Sequence, residues 1–189
     1  MKKKYELIVI GSSAGGIQAL EYLTAKLPSD FIAIAIVQHL KNTMESYLPI
    51  RLAKICKMKV KEAEEKELIQ TGTVYIAPPG YHLLIEYDKT FSLSVDEKIS
   101  FSRPSIDVLF ESTAEVYGDK GIGIILSGAN ADGSNGLKLI KQLGGLTMVQ
   151  KPSTAIVAYM PEAAIKATTV DYIVSLEEMH QLLLEIVML

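Results

Sequence analysis

Ile8-Val9-Ile10-Gly11-Ser12-Ser13-Ala14-Gly15-Gly16 is the stretch whose reading decides the fold. A short apolar run ends in a Gly/Ser turn. Helical spacing then begins at once with Ile17, Ala19, Leu20 and Leu23, which reads as strand, tight turn and helix N-terminus. Gly11-x-Ser13-x-Gly15 also fits G-x-S-x-G, the spacing that lifts a serine hydroxyl out of a strand-to-helix turn. The unpaired N–H groups at the helix start would face a developing oxyanion. Two other readings fit the same turn. A Gly-rich strand-to-helix turn can hold pyrophosphate, although the second glycine of G-x-G-x-x-G falls on Ser13, and Gln38-His39 stand where an acid is expected. The turn can also be structural only. On the motif alone the three readings stand level.

Working outward, strand-like runs alternate with helical patterns. Leu7–Ile10 is followed by a helix from about Gly16 to Leu27, closed by Pro28. Phe31–Gln38 is nearly all apolar, as in a strand covered on both faces, and a helix is expected from about Met44 to Cys56. Thr73–Ala77, His82–Tyr87 and Thr90–Val95 are short and broken by Pro78-Pro79-Gly80 and Asp88-Lys89, and read as inserted β-hairpin material. Alternation resumes with a helix over Pro104–Tyr117, a strand over Gly121–Leu126, a helix to Leu143 and a strand over Leu146–Gln150. A short helix near Pro161–Ala167, a strand at Asp171–Val174 and a final helix complete the pattern. Repeated β-α units predict an α/β fold: a doubly wound, mainly parallel sheet with helices on both faces and an inserted β-hairpin region.

Composition narrows the function classes. The 189 residues suit one domain, 1–189, and 49 % are apolar against 22 % charged. A net charge of −3 gives no argument for nucleic acid or an anionic membrane, and no apolar run is long enough to span a bilayer. Met1-Lys2-Lys3-Lys4 precedes too short an apolar run for a secretory signal. Cys56 is the single cysteine, so no internal disulfide can form and a reducing cytosol fits; a buried core thiol is expected there. Lys57, Lys59 and Lys61 alternate as on the wet face of an edge strand. Glu62, Glu64, Glu65 and Glu67 read as a solvated loop or edge. Met179, Leu183 and Val187 read as a packing stripe on the last helix. No Cys/His cluster has metal-ligand spacing.

In doubly wound sheets ligands sit beyond the carboxyl ends of the strands, and three polar loops qualify: Gly11–Gly16, His39–Asn42 and Ser127–Asn135. Each carries one member of a hydrolytic triad. Serine is a weak nucleophile that needs an imidazole base, and the base needs an acceptor to fix its tautomer. Ser13, His39 and Asp132 can fill those roles. Taken singly, His39 reads as a partly exposed polar residue or a capped core group, and Asp132 before Gly133 as a turn or helix cap. His82 and His180 read as surface or packing residues.

Several segments carry a resemblance: Ile10-Gly11-Ser12-Ser13-Ala14-Gly15-Gly16, Gln38-His39, Tyr75-Ile76-Ala77-Pro78, Arg103-Pro104-Ser105-Ile106-Asp107-Val108-Leu109-Phe110, Leu126-Ser127-Gly128, Asp132-Gly133 and Met160-Pro161. In this order, over nearly the whole chain, they resemble the catalytic domain of the chemotaxis protein-glutamate methylesterases of the CheB type. The resemblance implies a parallel doubly wound fold and a Ser-His-Asp triad on Ser13, His39 and Asp132. It implies hydrolysis of glutamate γ-methyl esters on the cytoplasmic helices of chemoreceptors, with methanol released and receptor glutamines deamidated by some members. No cofactor or metal is implied, nor a nucleic-acid partner or membrane insertion, and the location implied is cytoplasmic. The runner-up reading is a catalytically silent member that binds a signalling partner.

Three departures from the family pattern matter. Gly128-Ala129-Asn130-Ala131-Asp132-Gly133 stands where the family has Gly-Met-x-x-Asp-Gly; the family's oxyanion donor is the methionine N–H, which Ala129 can still supply, and N–H groups near Ala14 and Ala129 are expected to hold the oxyanion. Ala14 also lacks the hydroxyl of the usual threonine. The catalytic pattern begins at residue 7, so a single catalytic domain without a receiver domain is expected, with a response regulator or receiver protein in trans as the candidate regulator. Arg103 is expected either to shape the substrate site or to form a structural salt bridge.

Overall fold

The chain enters through β1 (Leu7–Ser12), every residue of which is buried. A computed structural model describes residues 5–39 and 47–188. Gly15 then takes φ 74°, a left-handed conformation that glycine adopts without a Cβ clash, and α1 (Gly16–Ala25) starts on the next residue. The chain continues through β2 (Ala33–Gln38), α2 (Leu48–Ala53), β3 (Lys59–Glu62) and β4 (Thr73–Ile76), then β5 (His82–Ile85) and β6 (Phe91–Ser94). The second half runs α3 (Ile106–Tyr117), β7 (Gly121–Ile125), α4 (Ser134–Gln142), β8 (Leu146–Gln150), α5 (Tyr159–Ala167), β9 (Tyr172–Val174) and α6 (Leu176–Met188).

Seven strands form one sheet in the order β3-β4-β2-β1-β7-β8-β9, and every neighbouring pair is parallel. The order runs outward from β1 in one direction through β2 and in the other through β7. The crevice for a ligand therefore opens where β2, β1 and β7 end. Period-two alternation splits the central strands between two cores. Leu7 and Val9 join Leu109, Phe110, Leu137 and Ala164 from α3, α4 and α5 on one face. Ile8 and Ile10 join Leu20, Leu52 and Leu183 from α1, α2 and α6 on the other. Helices on both faces and a parallel sheet are as expected. No helix among the described residues is long and apolar enough to cross a membrane.

Two expectations need correction. Only β5 and β6 form the inserted antiparallel hairpin; β4 lies inside the main sheet, between β3 and β2. Its four residues, Thr73–Ile76, are all buried, as in an interior strand, whereas a short run flanked by turn signals reads as hairpin. The second helix is also shorter than its apolar spacing suggests. It begins at Leu48 because Pro49, which has no N–H to donate, fits only in a first turn. The expected portion from Met44 to Ser46 lies outside the described residues, as do residues 40–42 of the second polar loop. β3 is the edge strand that the lysine alternation indicated. Met179 and Leu183 are buried and Val187 packs beside them. Cys56 is half-buried rather than fully enclosed, and burial pushes its thiol pKa up.

Candidate active site

Ser13, His39 and Asp132 come to one end of the sheet because β2, β1 and β7 are adjacent. Ser13 follows β1 directly. Its N–H donates to the Ser127 carbonyl beyond β7 at 2.9 Å, and its own carbonyl accepts from Gly16 N–H at 2.9 Å. Gln38, the last residue of β2, ties the first two loops together. Its Nε2 donates to the Ser13 carbonyl at 2.8 Å and to the His39 carbonyl at 2.9 Å, while its Oε1 accepts the buried Ser12 hydroxyl at 2.6 Å. The neighbouring serines are thereby distinguished. Ser12 is enclosed and paired, whereas Ser13 lines a cleft of about 540 Å³ with Ala14, Gly15, His39, Arg51 and Ile156.

His39 Nε2 lies 2.8 Å from Asp132 Oδ2. Nδ1 is therefore the ring nitrogen left for a reacting group. The Asn130 side-chain amide stands 3.5 Å from it, and Asn130 Oδ1 accepts the Asp132 N–H at 3.2 Å. No hydrogen bond joins Ser13 Oγ to the His39 ring. Such bonds are often long without substrate and tighten in the Michaelis complex.

Asp132 is fully buried, and four donors converge on its carboxylate. Oδ2 takes the His39 Nε2 proton and the Ile106 N–H at 2.7 Å. Oδ1 takes the Ser105 hydroxyl at 2.8 Å and the Asp107 N–H at 3.0 Å. Ser105 occupies the N-cap of α3 but does not cap it with its own side chain. Asp132 supplies the capping carboxylate from across the site, where the helix dipole favours a negative charge. Burial pushes the Asp132 carboxyl upward. The His39 hydrogen bond and the Ile106 and Asp107 N–H groups outweigh it, and the net direction is below the ordinary carboxylate value.

The cap expected of Asp132 on the following helix is made by another residue. Asp107, in the first turn of α3, accepts the Gly136 N–H at 2.8 Å and the Asn135 amide at 3.4 Å at the start of α4. Burial, then the charge of Asp132, raises its pKa.

The remaining candidates fall as follows. Ala14 lines the cleft; Ala129 is exposed and does not. Neither N–H has a hydrogen-bond partner among the described residues. Arg103 donates through Nη1 to the carbonyls of Val95 at 2.7 Å and Asp96 at 2.9 Å, and makes no ion pair among the described residues. His82 is 1 % exposed, so its expected surface alternative is excluded. Gln38, Ser105, Asp107 and Asn130 were not singled out by the sequence as site residues. Only Gln38 left a local signal, a polar side chain ending an apolar strand beside the candidate base. No group of three His, Cys, Asp or Glu among the described residues could hold a metal ion.

Residues 8–183 match the family model for CheB methylesterase. The chain belongs to the CheB methylesterase family. It is 57 % identical over 183 residues to a putative protein-glutamate methylesterase/protein-glutamine glutaminase of Leptospira interrogans, covering 96 % of this chain and 95 % of that protein. A probable protein-glutamate methylesterase of Borreliella burgdorferi is 40 % identical over 96 % of this chain and 49 % of its own length. The crystal structure of the Thermotoga maritima CheB methylesterase catalytic domain superposes with a TM-score of 0.91 at 34 % identity, covering 96 % of this chain and 98 % of that one.

Proposed function

We propose that this chain is a serine carboxyl-ester hydrolase acting on γ-methyl esters of protein glutamate, and on glutamine side chains by the same route. The observation that carries the reading is the 2.8 Å contact between His39 Nε2 and Asp132 Oδ2 beside a cleft that Ser13 lines. Ser13 Oγ attacks the ester carbonyl while His39 Nδ1 takes its proton. Asp132 holds the ring through Nε2 and stabilises the imidazolium. The N–H of Ala14, which lines the cleft, is the oxyanion donor this reading favours; Ala129 would serve only if its loop closes over the ester. The tetrahedral intermediate collapses to an acyl-enzyme, and Nδ1–H protonates the departing methoxide to methanol. Water, activated by Nδ1, then releases glutamate and regenerates Ser13. With a glutamine substrate, the same protonation expels ammonia.

The substrate proposed is the set of methylated cytoplasmic helices of chemoreceptors, which goes with a cytoplasmic location. A receiver protein acting in trans is the proposed regulator. Methanol release from methylated receptor fragments, wild type against Ser13→Ala, tests the reading. Release by wild type and its loss in Ser13→Ala are expected; equal release from both would refute it.

A further inference from the structure

We propose that His82 is a positioning residue for the reaction: through Ser105 it aims the Asp132 carboxylate at His39. The inference rests on the reading of Asp132 as the triad carboxylate. His82 begins β5, outside the loops that carry the triad, and is 1 % exposed. Its Nδ1 accepts the Ser105 N–H at 3.2 Å, and its Nε2 lies 3.0 Å from the Glu97 carbonyl. The partners fix the tautomer. A backbone N–H can only donate, so Nδ1 carries a lone pair; a carbonyl can only accept, so Nε2 carries the proton.

Ser105 in turn donates its hydroxyl to Asp132 Oδ1 at 2.8 Å. Its extended backbone, φ −104° and ψ 139°, presents the next two N–H groups, those of Ile106 and Asp107, to the same carboxylate. One line of contacts thus runs from the Glu97 carbonyl through His82, Ser105 and Asp132 to His39. Arg103 closes the segment from the other side by holding Val95 and Asp96. The hairpin is thereby fastened to the residue that sets the carboxylate's orientation. A shift of about 1 Å at a catalytic group is enough to cost on the order of a hundredfold in rate.

The test uses His82→Gln, His82→Asn and Ser105→Ala in the whole protein. Asparagine keeps an acceptor where Nδ1 stands but loses the donor to Glu97. Glutamine keeps a donor that reaches Glu97 but loses the acceptor for Ser105. His82→Gln is expected to lower kcat on a methyl-ester substrate on the order of tenfold to a hundredfold, with KM within about twofold of wild type. His82→Asn should recover most of that loss. The double variant with Ser105→Ala should lose less than the product of the two single losses, because both act through one residue.

Two NMR readouts, one of a proton and one of ring nitrogens, need no turnover. The low-field proton of the His39–Asp132 hydrogen bond should shift or broaden in His82→Gln and stay in His82→Asn. The ring-nitrogen shifts of wild-type His82 should report a protonated Nε2 and an unprotonated Nδ1. Unchanged kcat and an unchanged low-field proton in His82→Gln would overturn the proposal. So would equal losses in both His82 variants, or a wild-type His82 protonated on Nδ1. If wild type releases no methanol while the NMR responses follow the pattern above, the proposed activity fails and the positioning of Asp132 by His82 stands. Should His82→Gln fail to fold, the wild-type ring-nitrogen shifts and His82→Asn still decide.

Discussion

Replacing Asp132 with asparagine changes one carboxylate oxygen into an NH2 group, and the surrounding donors leave it no good orientation. On the Oδ2 side the amide nitrogen would face the Ile106 N–H, now 2.7 Å away, and the His39 ring nitrogen at 2.8 Å. The ring could adapt only by accepting on Nε2, which moves its proton to Nδ1, the nitrogen that takes the Ser13 proton in the proposed mechanism. On the Oδ1 side the nitrogen would face the Asp107 N–H at 3.0 Å, although the Ser105 hydroxyl could rotate to accept. Either orientation leaves at least one buried N–H unpaired, a loss of about 1–3 kcal/mol. The missing charge at the α3 N-terminus adds about 0.3–1 kcal/mol. Together these predict about 2 kcal/mol of destabilisation and a Tm lower by roughly 4–8 °C for a chain of this size. Turnover should fall about 10⁴-fold from the wrong tautomer, as in the serine protease case. The stability difference should also depend on pH. Hydrogen bonds hold the Asp132 carboxyl below its ordinary value, so its stabilisation is present above the unfolded-state pKa and is lost as pH falls through the folded one. The gap between wild type and Asp132→Asn should therefore narrow on acidification. Methanol release at neutral pH, with denaturant unfolding across the acid range, reads all three effects. A variant with wild-type rate and stability would show that Asp132 is neither triad member nor helix cap.

Ser13→Ala should remove nearly all turnover. Ser12→Ala should keep much of it while losing about 1–3 kcal/mol of stability, because Gln38 Oε1 loses the hydroxyl that satisfies it; comparable activity in Ser13→Ala and wild type would refute the assignment. Gly15→Ala should destabilise by more than about 1 kcal/mol and lower kcat, since the backbone sits at φ +74° and the new Cβ would lie 2.6 Å from Ile156 Cβ and 2.8 Å from Ser127 Oγ; a thermal melt with the methanol assay checks both. Asp107→Asn should gain stability relative to wild type as pH rises from about 4 to about 7, across the carboxylate range. Burial raises the folded-state pKa of Asp107, so its share of stability is present below the unfolded value and lost as pH rises through the folded one. A difference that runs the other way in denaturant titrations would contradict that sign.

The sheet was legible because its signals are local. An apolar run ending in Gly11-Ser12-Ser13, followed by 3.6-residue spacing, specifies strand, turn and helix whatever surrounds it. β4 was misread because four buried residues between turn signals look the same in a hairpin and in a parallel sheet, and only its pairing with β2 and β3 tells them apart. Ser13, His39 and Asp132 were legible as candidates because each follows a strand and has a chemistry of its own. His82, Ser105 and Asp107 were not. Their roles depend on contacts across 23 to 29 residues of chain, and nothing in HLLI or RPSIDVLF shows which atoms those side chains will meet. Asp132 shows the same limit from within the candidate set. A cap on the next helix was a fair local reading, yet its carboxylate turns to α3.

That exchange of caps gives the site its mechanical character. Asp132, just before α4, closes the N-terminus of α3, and Asp107, in the first turn of α3, closes the N-terminus of α4. Each helix start is completed by a carboxylate from beside the other. The two helices cannot slide without breaking buried hydrogen bonds at both ends of the exchange. The carboxylate proposed for the triad is therefore part of the packing of α3 on α4, and its orientation toward His39 Nε2 is set by that packing. Preorganisation of this kind stabilises the imidazolium without reorientation during the reaction. It also means that activity and stability are joined at Asp132. Ser13 is held only through its backbone, by Ser127, Gly16 and Gln38, and its hydroxyl makes no hydrogen bond among the described residues. Removing that hydroxyl should stop the chemistry and leave the fold as stable as before. Under the proposed roles, catalysis and folding come apart at Ser13 and coincide at Asp132, and the reason is where each side chain spends its hydrogen bonds.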